Sequence, residues 1–405
     1  MALRIPQGTQ MLKDGYKHLQ GIDEAVLRNI AAVHDLSEIT RTSFGPNGRN
    51  KIIINHLEKL FVTNDAATII RELEVVHPAA KLLVMASQQQ EAEMGDASNL
   101  VSIIAGELLQ KAAHLIRMGL HPSDIVQGYE VALDKALEIL EELSVEEIKN
   151  VQSKDELAKA VRSSIASKQY GNEDLLTDLV CEAAIAVMPK DASNFNVDNV
   201  RIVKIMGSSL YESRVVKGMV FGRSPEGVIT NAKKAKVAIF TCPLDVAQTE
   251  TKGTVLIHNA SEMLNFTKGE EKHMESMLKT IADAGVKVVV TGNAVGELAL
   301  HYLNRFGIMV VKVLSKFDLR RLCRVTGATA LARVGAPMAE EMGFCDVVES
   351  VEIGGDRVTN HLDDVERALD DGINVIKALV KDPRLVPGAG ASEMELLKRL
   401  LAVGE

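Results

Sequence analysis

A multidomain chain joining a mainly helical region to an α/β region is the fold class the sequence predicts, and three observations predict it. Residues 22–143 repeat apolar positions at helical spacing around one short β-branched hairpin. After Gly207 the texture changes to short β-rich runs, 215–221, 236–241, 286–291 and 308–313, alternating with helical segments such as 274–284 and 296–306. Such alternation indicates an α/β domain with some parallel strand pairing. A length of 405 residues suffices for two or three domains, each with its own core.

Composition narrows the function. Hydrophobic content of 46% and charged content of 25% are ordinary globular values. A net charge of -9 argues against nucleic acid, whose phosphates want a basic face. With no Trp and 3% aromatics, base-stacking platforms are not expected either. No apolar run is long enough to cross a bilayer, and the start, MALRIPQGTQ, lacks the apolar stretch of a signal peptide, so no membrane partner is expected. Cys181, Cys242, Cys323 and Cys345 lie far apart without CxxC spacing. That pattern fits buried thiols in a reducing cytoplasm better than zinc or disulfides.

In chain order, 22–37 predicts a helix, and the turn Gly45-Pro46-Asn47-Gly48 then opens the hairpin. Its strands are 51–54 and 60–63, joined by the polar connection 55–59. Asn64-Asp65 stands directly before the helix-compatible AATIIRELE. Glycines let backbone approach phosphate, helix N-termini attract anions, and a carboxylate there can hold a bridging metal. The stretch therefore reads as a nucleotide-phosphate site. On this stretch alone a plain turn followed by an N-cap is the simpler reading, since the stretch does not match GxxxxGK[ST], and the rest of the chain tips the balance.

Helices are predicted at 78–94 and 99–118, with Gly95-Asp96-Ala97-Ser98-Asn99 between them, and a long one runs to 143 with Ser123 as its cap. Two more, 154–167 and 172–187, are separated by a loop containing Lys168, and 200–205 is strand-like. The polar stretch 261–272, SEMLNFTKGEEK, reads as a protruding element, or equally as one whose few apolar residues make minor packing contacts. In 315–325, Lys316, Arg320 and Arg324 fall at i, i+4 and i+8 with Phe317, Arg321 and Cys323 adjacent, a basic stripe or simply a solvated helix face. The amphipathic helix 363–377 carries Asp371 in its middle, and the chain closes with the loop Pro387-Gly388-Ala389-Gly390 and a final helix.

Singly, these residues are unspecific: Asp96 suits an N-cap, Asp371 a solvated face, Lys168 a helix C-terminus. Their order is specific. Gly45-Pro46-Asn47-Gly48-x-x-Lys51, Asn64-Asp65-Ala66-Ala67-Thr68-Ile69, Gly95-Asp96-Ala97-Ser98-Asn99, Glu366-Arg367-Ala368-Leu369-Asp370-Asp371 and Val386-Pro387-Gly388-Ala389-Gly390-Ala391-x-Glu393 together resemble the group II chaperonins. The stretches 167–173, 195–198 and 249–254 are most similar to the eukaryotic cytosolic branch, the CCT or TRiC complex.

That resemblance implies a chaperonin fold: a helical equatorial domain (1–144, resuming at 387–405), a small α/β intermediate domain (145–213 and 360–386), and an α/β apical domain (214–359). The segment 265–272 would belong to a helical lid protrusion. It implies ATP and Mg²⁺ as ligands, the metal on Asp96. Nucleotide contacts would come from Gly45, Pro46, Gly48, Asp96, Ala97, Ser98, Asn99, Lys168, Gly388, Ala389 and Gly390. Asp65 and Asp371 would orient the attacking water, and Lys168 would sense the γ-phosphate. Lys316, Phe317, Arg320, Arg321 and Arg324 would meet clients. Partners would be paralogous subunits of a hetero-oligomeric double ring and unfolded cytosolic proteins such as actin and tubulin.

Three departures from the family pattern carry expectations. Ala66, Ala97 and Ala389 replace glycines, and Ser98 replaces a threonine, so binding of ATP is expected more firmly than fast hydrolysis. Strands expected after Arg357-Val358-Thr359, and the equatorial helices expected after Glu405, are missing, as if parts of a native chain were omitted. An ATP-independent client-holding module is one rival reading, and a small-molecule phosphotransferase is a second, although no residue set builds its acceptor pocket.

Overall fold

The computed structural model describes residues 22–45, 47–55, 57–245, 259–353 and 360–404. Pro46, His56, 249–254 and 357–359 lie outside the described residues. The chain forms two compact units, Met1–Ile202 with Val358–Glu405, and Val203–Arg357.

The first unit begins with α1 (Ile22–Arg41). β1 (Lys51–Ile54) pairs antiparallel with β2 (Leu60–Thr63), Lys51 opposite Thr63. α2 (Ala66–Glu72), α3 (Pro78–Met94) and α4 (Ser98–Arg117) follow. Val33, Leu36, Ile53, Ile69, Ile70, Ala80 and Leu83 bring the hairpin and three of these helices into one core. α5 (Pro122–Glu142) is capped by His121 rather than Ser123: Pro122 occupies the first helical position, and the ring Nδ1 of His121 accepts from the Ser123 N–H at 3.2 Å. Of α5 only Ile125 is fully buried, while Val131, Leu133 and Leu137 are exposed.

β3 (Glu146–Glu147) precedes α6 (Lys154–Lys168) and α7 (Glu173–Val187). Lys168 is therefore the last residue of α6 and not a loop residue. The β-branched stretches 200–205 and 215–221 form no strand. They lack a ladder partner among the described residues, and Met219 and Phe221 instead use their side chains to cover the second unit's core.

That second unit is built on β4 (Asn231–Phe240). α8 (Ala260–Asp283) absorbs the polar stretch 261–272 into its first half, and it anchors to the core from Met274 onward. β5 (Val286–Thr291), α9 (Glu297–Arg305), β6 (Met309–Lys312), α10 (Lys316–Thr326), β7 (Ala330–Leu331) and β8 (Gly343–Glu349) complete it. The strands β6-β5-β4-β7 are parallel in that order, and β8 runs antiparallel to β4. Alternation along β4 sends Ala238 and Phe240 toward α8 and α9, and Val237 and Ile239 toward α10. Both sheet faces are thus covered, which is why β5 reads as an almost unbroken valine run.

The chain returns to the first unit as α11 (Asn360–Lys381), then β9 (Arg384–Leu385) and α12 (Ala391–Gly404). β9 pairs antiparallel with β3, so the outgoing and returning strands are tied together. α11 packs on α3, α6 and α7, and this packing builds the site.

Candidate functional site

Asp65 is placed by the end of β2. Its backbone is extended, and one carboxylate oxygen accepts from the Thr68 N–H at 2.9 Å, the N-cap of α2. The other accepts from the Ser98 hydroxyl at 3.1 Å. Asp65 is buried, which alone would raise its pKa. The charge of Lys168 and the bonds from Thr68 and Ser98 outweigh burial and hold it below the ordinary carboxylate value.

Lys168 reaches inward from the end of α6. Its ammonium forms an ion pair with Asp371 and donates to the Gly95 carbonyl at 3.3 Å. Burial disfavours its charge, but Asp371, Asp65 and Asp96 together raise its pKa, so it stays protonated.

Asp371 is 3% exposed, although its neighbour Asp370 faces solvent. It continues the buried stripe Val365 and Ala368 at helical spacing. Burial, opposed by Lys168 and reinforced by Asp65 and Glu91, pushes its carboxyl up to about 7.

Gly95 locks α3 against α11. It ends α3 at φ 74°, and a Cβ there would lie 2.3 Å from the Asp371 carbonyl oxygen. The half-buried Asp96 follows, accepting from the Ala97 N–H at 2.8 Å. Ala97 caps α4 at φ 64°, a left-handed conformation that costs an L-residue about 1–2 kcal/mol.

The turn Gly45–Gly48 lies close by. Gly45 has φ 81°, and a Cβ on Gly48 would meet the Ser43 carbonyl oxygen at 2.3 Å. The Asn99 amide donates to the carbonyls of Ser43 and Asn64, both at 3.3 Å, stitching turn, strand end and α4 together. Its Oδ1 is buried without a partner. Asn64 in turn donates to the Ser167 carbonyl at 2.6 Å, next to Lys168.

Asp65, Asp96, Asn99, Lys168 and Asp371 thus converge from four separate stretches, Asp96 and Asn99 sharing one. Gly388, Ala389 and Gly390 are exposed on the loop before α12, where Gly388 and Gly390 accept from α12 N–H groups, and Ala389 is left-handed at φ 59°. In the second unit Lys316, Phe317, Arg320 and Arg324 are exposed on α10, whereas Arg321 is half-buried and paired with Asp318 at 3.2 Å.

Sequence reasoning missed Glu91. Its carboxylate comes within 4.8 Å of those of Asp65 and Asp371. The signal was present: Ala80, Leu83 and Ser87 form the buried stripe of α3, and Glu91 is the next position at i+4.

The acidic donors gathered here are all oxygen, with Asp96 half-exposed between Gly95 and Ala97. Such a set suits Mg²⁺, which takes one or two carboxylates and leaves its other positions to phosphate and water. A separate cavity of about 340 Å³ at the C-terminal end of α2, lined by Asn55, Glu72 and Glu74 among others, gathers no comparable chemistry. Among the described residues no helix is long and apolar enough to cross a membrane.

The model of the TCP-1/cpn60 chaperonin family matches residues 36–360 and 358–404. The chain is 61% identical to the probable T-complex protein 1 subunit theta of Schizosaccharomyces pombe, covering all of this chain and 78% of that protein. Identity is 52% to the theta subunit of Saccharomyces cerevisiae, over all of this chain and 77% of that one. It is 51% to the human theta subunit, again over the whole chain and 78% of the relative. With the ordered motifs, the helical and α/β units and the family match in agreement, the chain belongs to the TCP-1/cpn60 chaperonin family.

Proposed function

We propose that this chaperonin subunit hydrolyses ATP in a hetero-oligomeric double ring of paralogous subunits and encloses unfolded cytosolic proteins. The five segments, 1–144 and 387–405, 145–213 and 360–386, and 214–359, are proposed to act as equatorial, intermediate and apical parts. The observation that carries the reading is the convergence of Asp65 from the cap of α2, Lys168 from the end of α6 and Asp371 from α11.

Each residue has a distinct task. Asp65, held ionised, orients the attacking water. Asp371, whose carboxyl titrates near neutrality, accepts the proton that the water loses. Lys168 carries the positive charge that meets the γ-phosphate and thereby draws α6 and α11 into register with the nucleotide. The loops at 45–48 and 388–390 and residues 97–99 offer backbone and polar groups to the phosphates. Mg²⁺, held by Asp96, supplies neutralisation of phosphate charge when bound.

A catalytic carboxylate on the returning segment makes hydrolysis depend on domain closure. Rings in which this subunit alone is left competent should therefore show both ATP turnover and ATP-dependent protection from protease. Protection without turnover would favour the client-holding reading.

Ala97 and Ala389, left-handed residues with a methyl in a glycine conformation, favour that second reading. Ala97→Gly should relieve about 1 kcal/mol of strain, raise the unfolding midpoint and tighten nucleotide binding. Equal affinity in the two proteins, measured by calorimetry, would remove the methyl as a brake.

On α10 the basic residues suit acidic client segments. Reversing Arg320 and Arg324 to glutamate should weaken binding of an acidic peptide roughly tenfold at low salt, since exposed pairs contribute up to about 1 kcal/mol each. The difference should fade at high salt.

A further inference from the structure

We infer that Glu91 is a positioning residue for hydrolysis, the carboxylate that takes the proton from Asp371 and passes it to solvent. The inference rests on the ATPase reading above and adds a step that reading lacks. Asp371 is enclosed, so a proton delivered to it needs a way out before the next turnover.

Geometry leaves one acceptor. Asp65 is held ionised by Lys168, the Thr68 N–H and the Ser98 hydroxyl, so it takes no proton, while its remaining lone pairs still serve the attacking water. Lys168 is protonated and bonded to Asp371 itself. Glu91 is the remaining carboxylate of the group, within 4.8 Å of both Asp371 and Asp65, a gap that a hydrogen bond through one water spans. Exposure rises along the line outward. The Asp371 side chain is 5% exposed, Glu91 20%, and Arg71, whose guanidinium lies 3.8 Å from Glu91, is 44% exposed.

The surroundings also tune Glu91 for the task. Burial and the charge of Asp65 raise its pKa, while Arg71 from α2, Lys168 from α6 and Arg367 from α11 hold it down. Arg71 sits at the outer end, so a proton on Glu91 is repelled toward bulk water.

The step balances without any further reagent. The water oxygen bonds to the γ-phosphorus, the bond from phosphorus to the bridging oxygen breaks, and ADP leaves with that electron pair. The water proton goes to Asp371, then to Glu91, then to solvent, and Asp371 is restored as a carboxylate.

The test uses assembled rings in which the paralogous subunits are hydrolysis-dead, so that turnover reports this chain. Glu91→Gln, close to isosteric, should lower turnover about tenfold with nucleotide affinity unchanged, a fraction of the effect of losing the base itself. Imidazole buffer, a diffusible proton carrier, should restore much of the rate, and Glu91→Asp should retain most of it. A purely structural role would show neither recovery. Wild-type turnover in Glu91→Gln, or a loss that neither imidazole nor Glu91→Asp relieves, overturns the inference. Asp371→Asn is the separating control. If it is inactive while Glu91→Gln is normal, only the proton route is wrong. If Asp371→Asn itself turns over normally, the assignment of the base fails too.

Discussion

Replacing Asp371 with asparagine is expected to lower ATP turnover by about 10²–10⁴-fold, the usual contribution of a general base. The amide keeps the shape of the side chain and an oxygen for Lys168, so α11 should stay docked. Nucleotide binding should persist, because the phosphate contacts proposed for 45–48, 97–99 and 388–390 are untouched.

The pH dependence follows from the environment of the group. Burial pushes the Asp371 carboxyl up to about 7, and only the ionised form can accept a proton. As pH falls through that value the active form is lost, so kcat/KM, which reports the free protein, should drop tenfold per unit below it and level off above. Asp371→Asn should abolish this limb along with the activity. A pH profile flat from 5 to 8, those limits being roughly two units below and one above the carboxyl, would count against Asp371 as the base.

Gly95→Ala is expected to be strongly destabilising, because it combines a left-handed backbone with a backbone clash. The left-handed backbone alone costs about 1–2 kcal/mol, and overpacking typically adds about 1–3 kcal/mol. The new methyl would lie 2.3 Å from the Asp371 carbonyl oxygen and 2.7 Å from the Asn374 Cβ, so α3 and α11 must separate. Gly45→Ala is the internal control: φ is 81° there, but nothing lies within 4 Å of the added Cβ. Urea unfolding should therefore rank Gly95→Ala well below Gly45→Ala. Gly95→Ala should also depress turnover, because Lys168 is hydrogen-bonded to the Gly95 carbonyl and paired to Asp371 at once. Equal midpoints for the two variants would mean that the two helices are not locked at this point.

Much of the local structure was legible in the residues. The hairpin 51–63 announces itself by β-branched runs about a polar connection, and β1 and β2 adopt those bounds. α3 spans the residues its apolar spacing predicts, from Pro78 to Met94. Strands were harder, because a β-branched run needs a partner that no window of sequence contains. Residues 200–205 and 215–221 have the composition of strands and no ladder, while β8 pairs along β4 from a stretch whose glycine and acidic residues give little strand signal.

By itself the sequence determined the family, through five ordered motifs, and with it the catalytic pair Asp65 and Asp371 as candidates. It also determined the helical and α/β character of the two regions, since periodicity is a property of neighbouring residues. Only the tertiary structure decided that Asp371 is buried while Asp370 is not, that Lys168 is shared between Asp371 and the Gly95 carbonyl, and that Glu91 completes the carboxylate group. The reason is physical. Whether a carboxylate is solvated or functional depends on the charges and the burial around it, and those come from helices α3, α6 and α11, which are distant in sequence and meet only when the chain folds.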